Sequence, residues 1–167
     1  FSKLFNKPKE VPSNAEIIEK IDFKGGTKYA KNETNIVYAD IEELGGFPYL
    51  KTVIIGDTSV NIKRTGCTVA FNFNNESIKL NSDNTTLERL SLQNNGIGDV
   101  GANALANALL DNERLMYVDL SWNRITNRGA QDILKVLDVN DTLETLILEG
   151  NEEIDRGILE EIQRVIE

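Results

Sequence analysis

Hydrophobic and polar residues alternate over short stretches in the second half of the chain, and each stretch is followed by a helical pattern. Leu90 and Leu92 alternate with polar neighbours, which predicts a short strand with one buried face. The apolar residues of 102–109 then recur at i, i+3, i+4 and i+7, which predicts a helix with one apolar side. The same strand and helix patterns return at 118–120 and 130–137.

The pattern repeats with a period of 28 residues. Seven columns of like residues coincide when the chain is compared with itself at this offset. The columns are Leu87, Leu115 and Leu143; Leu90, Val118 and Leu146; Leu92, Leu120 and Leu148; Asn95, Asn123 and Asn151; Asp99, Asn127 and Asp155; Gly101, Gly129 and Gly157; and Asn84, Asn112 and Asn140. Repeated columns of this kind predict a solenoid in which each repeat packs on its neighbours.

Each polar column has a physical role in the predicted repeat. The Asn95 column ends the strand, and its amides are expected to form a ladder that bonds the buried backbone of the turns. The Asp99 column suits helix N-caps. The Gly101 column is expected where a helix approaches the strand layer closely, and Asn112 and Asn140 are expected to end the helices in a left-handed conformation.

The spacing L-x-x-L-x-L-x-x-N in residues 87–95 resembles the leucine-rich repeat family. The 28-residue period and the stretch GANALA at 101–106 resemble its ribonuclease-inhibitor-like class. The resemblance implies a right-handed α/β solenoid, with short parallel strands on a concave face and helices on the convex face. We expect strands near residues 51–55, 89–92, 117–120 and 145–148.

The first half of the chain follows the pattern less closely. Leu50, Val53 and Ile55 keep the leucine spacing, and a weaker match is found at Ile18, Ile21 and Phe23. The alternating stretch 67–80, with Asn-Asn at its centre, predicts a strand or hairpin insertion.

In the last repeat, Glu153 replaces an apolar residue, and Ile154 follows it, so we expect a bulged turn; Glu161 stands in a helix core column. The predicted organisation is an exposed arm at 1–12, an irregular N-terminal cap at 13–49, an irregular repeat at 50–86, and repeats at 87–114, 115–142 and 143–167.

Three glycines offer a different interpretation of the first regular turn. Gly96, Gly98 and Gly101 have the G-x-G-x-x-G spacing of dinucleotide-binding folds, and Asp119 follows at a distance that suits a ribose-binding acid. However, Gly101 alone belongs to a repeat column, and Gln93 to Asn95 separate the strand from the first glycine. We therefore keep a dinucleotide-binding enzyme as a remote alternative.

Composition narrows the function classes further. The net charge of −9 argues against nucleic acid as a partner, because its phosphates require basic surfaces. The chain has no histidine, which removes Ser-His and Cys-His nucleophile pairs, and no apolar run reaches the 18 residues of a membrane span. A single cysteine, Cys67, fits a reducing compartment. We therefore expect an intracellular protein, cytoplasmic or alternatively mitochondrial, without catalytic residues, cofactor, metal or membrane insertion.

The resemblance implies a protein-interaction module or scaffold whose partner contacts the concave sheet face. Aromatic residues and arginine are the types that most often dominate protein interfaces. The candidate partner-binding residues are Arg89, Ser91, Gln93, Tyr117, Asp119, Ser121, Trp122, Thr145, Ile147 and Glu149. Two alternatives remain open: a structural subunit of a larger assembly, and an actin regulator, because the stretches DNERL and VNDTL are similar to tropomodulin repeats.

Overall fold

The computed structural model describes residues 20–24, 29–31, 36–37, 52–65, 68–73, 76–81 and 87–167. Within these ranges the chain forms ten strands and three helices. The strands are β1 (Lys20–Lys24), β2 (Tyr29–Lys31), β3 (Ile36–Val37), β4 (Thr52–Gly56), β5 (Asn61–Thr65), β6 (Thr68–Phe73), β7 (Glu76–Asn81), β8 (Arg89–Ser91), β9 (Tyr117–Asp119) and β10 (Thr145–Ile147); the helices are α1 (Asp99–Leu109), α2 (Asn127–Leu137) and α3 (Arg156–Ile166).

Seven strands form one sheet in the order β10-β9-β8-β4-β1-β2-β3. Strands β4, β8, β9 and β10 are parallel, and the register pairs Leu90 with Val118 and Val118 with Leu146. All three side chains are buried. The predicted α/β repeat architecture is therefore confirmed, with the four strands at the expected places.

The parallel sheet extends into the first half of the chain. Strand β1 pairs with β4 and aligns Ile21 with Val53 and Phe23 with Ile55, so the weak leucine spacing at 18–23 marks a further parallel strand. Strands β2 and β3 then continue the sheet in antiparallel orientation. The predicted arm at residues 1–12 lies outside the described residues.

The irregular repeat at 50–86 carries an antiparallel sheet of three strands, in the order β5-β6-β7. The predicted hairpin corresponds to β6 and β7, and β5 adds a third strand that the pattern did not predict. Ile62 and Phe71 of this sheet are buried in the core, and Ile62 lies against α1 at Gly101. The small sheet therefore supports the first regular helix.

A ladder of buried asparagines joins successive repeats, as predicted. Asn123 Oδ1 accepts hydrogen bonds from the backbone N–H groups of Asn95 (2.9 Å) and Ile97 (3.0 Å) in the preceding repeat. Its Nδ2 donates to the carbonyls of Leu92 and Leu120 at 3.0 and 2.9 Å. The other two ladder residues make equivalent bonds: Asn95 to Ile55 and Thr58, Asn151 to Leu120 and Ile125.

The predicted N-caps are wrong at Asp99 and Asn127, which lie one residue inside their helices. Asp99 instead caps the helix of the next repeat. Its Oδ1 accepts from the backbone N–H groups of Thr126 (2.8 Å) and Gly129 (3.1 Å), and its Oδ2 accepts from the Thr126 hydroxyl (2.6 Å). Asn127 bonds Asp155 of the following repeat: its Oδ1 accepts from the Asp155 backbone N–H (2.7 Å), and its Nδ2 donates to the Asp155 carboxylate (2.9 Å). The column therefore joins repeats, because its side chains project toward the next helix.

The environment of Asp99 favours its ionised form. Burial raises the pKa of Asp99, but the hydrogen bonds from Thr126 and Gly129, together with the charge of Arg128, outweigh burial and hold the pKa below its ordinary value. This contact therefore stabilises the fold above the carboxyl's unfolded pKa, and its contribution is lost as the pH falls through the folded pKa.

The predicted left-handed caps at Asn112 and Asn140 are also wrong, because neither residue has a positive φ. Both bond the chain through their side chains instead. Asn140 Oδ1 accepts from the N–H groups of Thr142 and Leu143, at 3.0 and 2.9 Å, while its Nδ2 donates 2.7 Å to the Leu109 carbonyl. These asparagines fix the turn between helix and strand without a left-handed residue.

The last repeat departs from the pattern where expected. Glu153 is exposed and Ile154 is buried in the core, which confirms the shift in the turn. Glu161 is exposed, although its column is apolar in the other repeats, and Ile162 is the buried residue of α3.

Replacing Asn123 with alanine should lower the free energy of unfolding by about 1–3 kcal/mol, because the change leaves several buried backbone groups without partners. Denaturant melts followed by circular dichroism measure this loss. Asn107→Ala is the control, because the Asn107 side chain bonds Asn103 at the surface. Equal stability of the Asn123→Ala and wild-type proteins would contradict the structural role of the ladder.

Gly129 and Gly157 occupy the same column in different surroundings. A Cβ at Gly129 would lie 2.5 Å from Asp99 Oδ1 and 2.9 Å from Ile125 Cγ2, whereas a Cβ at Gly157 meets nothing within 4 Å. Gly129→Ala should therefore destabilise the fold by about 1–3 kcal/mol. Gly157→Ala should stabilise it by up to about 1 kcal/mol, since alanine favours helix over glycine. Denaturant melts measure both changes. If this column had no packing role, Gly129→Ala and Gly157→Ala would shift the midpoint of unfolding in the same direction.

Candidate partner-binding surface

The sheet face opposite the helices presents two rows of side chains in register. Arg89, Tyr117 and Thr145 form one row, and Ser91, Asp119 and Ile147 form the next. Arg89 is exposed and the other five residues are half-buried, while the residues between them point into the core. The structure therefore brings these six predicted residues together on one accessible face.

The guanidinium of Arg89 lies over the ring of Tyr117, with Cζ 3.9 Å from the ring centroid. This separation is within the range of a cation–π contact. The contact spans neighbouring strands, and it orients the tyrosine ring and the arginine charge together. Arg89 and Tyr117 thus form an ordered polar and aromatic unit on the sheet face.

The carboxyl end of the sheet holds the remaining predicted residues. Gln93 and Glu149 are exposed there. Ser121 is only 3% exposed, and its backbone N–H donates to Asp119 Oδ1 at 2.8 Å. Ser121 therefore fixes the orientation of the Asp119 carboxylate and offers little surface of its own.

Trp122 stands in a column of left-handed residues that follows each strand. The φ angles are 58° at Asp57, 56° at Asn94, 56° at Trp122 and 82° at Gly150. Aspartate, asparagine and glycine adopt this conformation readily, whereas a bulky side chain is an outlier there. The position of Trp122 therefore costs backbone strain, which the other repeats avoid.

The indole of Trp122 lies directly over Gly150, where any Cβ would collide with the ring. The backbone N–H of Trp122 donates to the Glu149 carbonyl at 2.7 Å, which fixes the backbone at this point. The side chain nevertheless remains 51% exposed. One part of the ring is thus supported by the next repeat, and the rest is available at the end of the sheet.

A pocket of about 330 Å³ lies beside Gly150. Its lining residues are Asn123, Arg124, Ile125, Gly150, Glu152 and Glu153. Sequence reasoning did not select Arg124, Gly150, Glu152 or Glu153 as site residues. The column of Trp122 could have indicated this site. A tryptophan replaces the turn-forming residues of the other repeats there, and a glycine follows 28 residues later.

The comparison with known families agrees with this geometry. A family model described as "Leucine Rich repeat" matches residues 83–106 and 111–134. These ranges contain β8 and β9 with the turns that follow them, and they include Asn95 and Asn123 of the ladder. The chain carries leucine-rich repeats. The ribonuclease-inhibitor-like class stays a prediction.

A curated relative also matches part of the chain. The human protein "Centrosomal protein of 78 kDa" is 36% identical over 77 residues, which cover 46% of this chain and 11% of the relative. The chain therefore spans about a tenth of the length of the relative that it matches. The similarity concerns a limited stretch of both proteins.

The three glycines of the alternative nucleotide motif have separate roles in the leucine-rich repeat. Gly96 has a φ of 69°, Gly98 is the extended N-cap of α1, and Gly101 lies against Ile97 and Ile62. Of the turn's N–H groups, those of Asn95 and Ile97 are bonded by Asn123. The repeat thus accounts for the glycine spacing on structural grounds.

In the described part of the chain, no group of three or more His, Cys, Asp or Glu residues is arranged to hold a metal ion. No helix in this part of the chain is long and apolar enough to cross a membrane.

Trp122→Asn should change the free energy of unfolding by less than about 1 kcal/mol, because relief of left-handed strain offsets the lost contact with Gly150. Asn94 already occupies the equivalent position in another repeat. Trp122→Val should cost about 1–3 kcal/mol, since a β-branched residue disfavours this conformation. Denaturant melts followed by circular dichroism compare the two variants. Equal losses would show that contacts of the indole outweigh its backbone conformation.

Proposed function

We propose that the chain is a non-catalytic protein-interaction module that binds a protein partner through the open sheet face of its leucine-rich repeats. Leucine-rich repeats are typical of interaction modules and are typically non-catalytic. The proposed surface consists of Arg89, Ser91, Gln93, Tyr117, Asp119, Trp122, Thr145, Ile147 and Glu149.

The observation that carries this proposal is the presence of large aromatic side chains on a sheet face that no described element covers. Tyr117 is half-buried and aligned by Arg89, and Trp122 is 51% exposed in a strained backbone position. Strained residues cluster at functional sites, and buried tryptophan, tyrosine and arginine contribute most to protein interfaces. A partner that covers this face would gain from both aromatic residues.

The structural-subunit alternative rests on the same face, because a larger assembly also consists of protein contacts. The tropomodulin-like alternative depends on the stretches DNERL and VNDTL, which form the turns after α1 and α2. The similarity of part of the chain to a centrosomal protein supports an intracellular place of action. Cytoplasm is our first choice of compartment and the mitochondrion our second.

The test compares affinities after the partner has been isolated with the wild-type chain and identified by mass spectrometry. Tyr117→Ala combined with Trp122→Ala should weaken the complex by at least tens-fold, since each hot-spot residue contributes about 2 kcal/mol or more. Calorimetry measures the dissociation constants. Circular dichroism verifies that the variant retains its fold.

Helix-side changes are the matched control. Asn107→Glu and Lys135→Glu alter α1 and α2, on the opposite side of the repeats, and should leave partner affinity unchanged. The proposal would be wrong if these helix variants abolished binding while the aromatic variant bound normally. Nucleotides should leave the melting temperature unchanged; a rise with a dinucleotide would instead favour the glycine-motif alternative.

A further inference from the structure

We propose that the pocket beside Trp122 binds an arginine or lysine side chain from an extended segment of the protein partner. The pocket is lined by residues 123–125, 150 and 152–153, and the indole of Trp122 lies over Gly150 of that lining. This inference rests on the proposed function and specifies the chemistry of the partner. It is built on the aromatic wall, the cavity and the charge of the last repeat.

The aromatic wall is the indole of Trp122. Gly150 lies under the ring and also lines the pocket, so the ring and the cavity adjoin at one residue. The exposed π face of an indole is the best aromatic surface for a cation in proteins. The absence of a Cβ at Gly150 leaves the space in which the ring is seated.

The cavity has the size of a long side chain. Its volume of about 330 Å³ is large enough to admit an arginine or lysine side chain. The aliphatic stem of such a side chain would pack against the exposed part of the Trp122 indole, while its charged end would reach the carboxylates of Glu152 and Glu153.

The charge around the pocket is complementary to a cation. Glu152 and Glu153 line it, and Glu149 precedes Gly150; all three residues are exposed. Residues 143–167 hold eight acidic and two basic residues, a net charge of −6 in a chain whose total is −9. This field favours basic segments and raises the rate of their association.

Arg124 adds one positive charge to the same lining. A substitution of Arg124 therefore tests whether the pocket prefers a positively or a negatively charged ligand. Removal of this charge should strengthen the binding of a cation and weaken the binding of an anion. An acidic segment held by Arg124 is therefore the competing occupant.

Trp122 is the single tryptophan of the chain, so its fluorescence reports on this pocket directly. The probes are three blocked glycine-serine peptides of equal length, carrying two arginines, two citrullines or two glutamates. At low ionic strength the arginine peptide should shift Trp122 emission saturably and bind at least about fivefold tighter than the citrulline peptide. Equal binding of these two peptides would overturn the proposal.

Substitutions that neutralise charged side chains test whether the arginine peptide binds at this pocket. Glu152→Gln with Glu153→Gln should weaken the arginine peptide at least about fivefold, and Arg124→Gln should strengthen it about twofold or more. Glu160→Gln with Glu161→Gln is the matched control, because it removes the same charge from exposed positions of α3. Equal weakening by both double variants would show nonspecific attraction and overturn the pocket. The proposal would also be overturned if the protein bound the glutamate peptide preferentially and the Arg124→Gln variant lost that binding.

Trp122→Asn tests the aromatic wall by calorimetry, since its fluorescence is lost. It should weaken the arginine peptide while the fold is retained; unchanged affinity would remove the indole from the site. The isolated partner separates the two proposals. Loss of its binding in the Tyr117 and Trp122 double variant, with full binding after Glu152 and Glu153 are neutralised, would uphold the sheet-face function and overturn the cation pocket.

Discussion

The buried amide ladder is the interaction on which the repeat structure depends. Backbone N–H and C=O groups are hydrogen-bonded within each helix and between neighbouring strands, but the turn that joins a strand to the next helix is buried and irregular. Asn123 resolves this by accepting two N–H bonds from the preceding turn and donating to carbonyls of both repeats. One side chain therefore holds two turns in a fixed relation, and the identical spacing of the repeats follows.

The other polar columns act between repeats in the same manner. Asp99 caps the helix that follows its own, and Asn140 bonds the end of the preceding helix. Gly129 allows this approach, because any Cβ there would meet the Asp99 carboxylate. Helix spacing is thus set by hydrogen bonds across repeats as well as by apolar packing, which is the nearest-neighbour coupling expected of a solenoid.

The candidate surface arises from exceptions to this regular scheme. The turn column holds aspartate, asparagine and glycine in three repeats, residues that suit its left-handed backbone, but tryptophan in the fourth. Trp122 follows the strand that carries Tyr117, and its ring lies over Gly150, which lines the pocket. A regular scaffold therefore presents one strained aromatic residue beside a charged rim, and this local departure supplies the specificity that a uniform repeat lacks.

The 28-residue period by itself determined strands β8, β9 and β10, the buried leucine columns and the asparagine ladder, because these features depend on spacing alone. Sequence also located the bulge at Glu153 and the hairpin of the irregular repeat. It could not determine which neighbour a short polar side chain bonds, so Asp99 and Asn127 were assigned to their own helices and Asn112 and Asn140 to left-handed caps. The third strand β5, the burial of Ser121 and the seat of Trp122 over Gly150 were likewise decided by tertiary structure. The physical reason is that these features depend on distances between residues of different repeats, which packing sets and local pattern does not record.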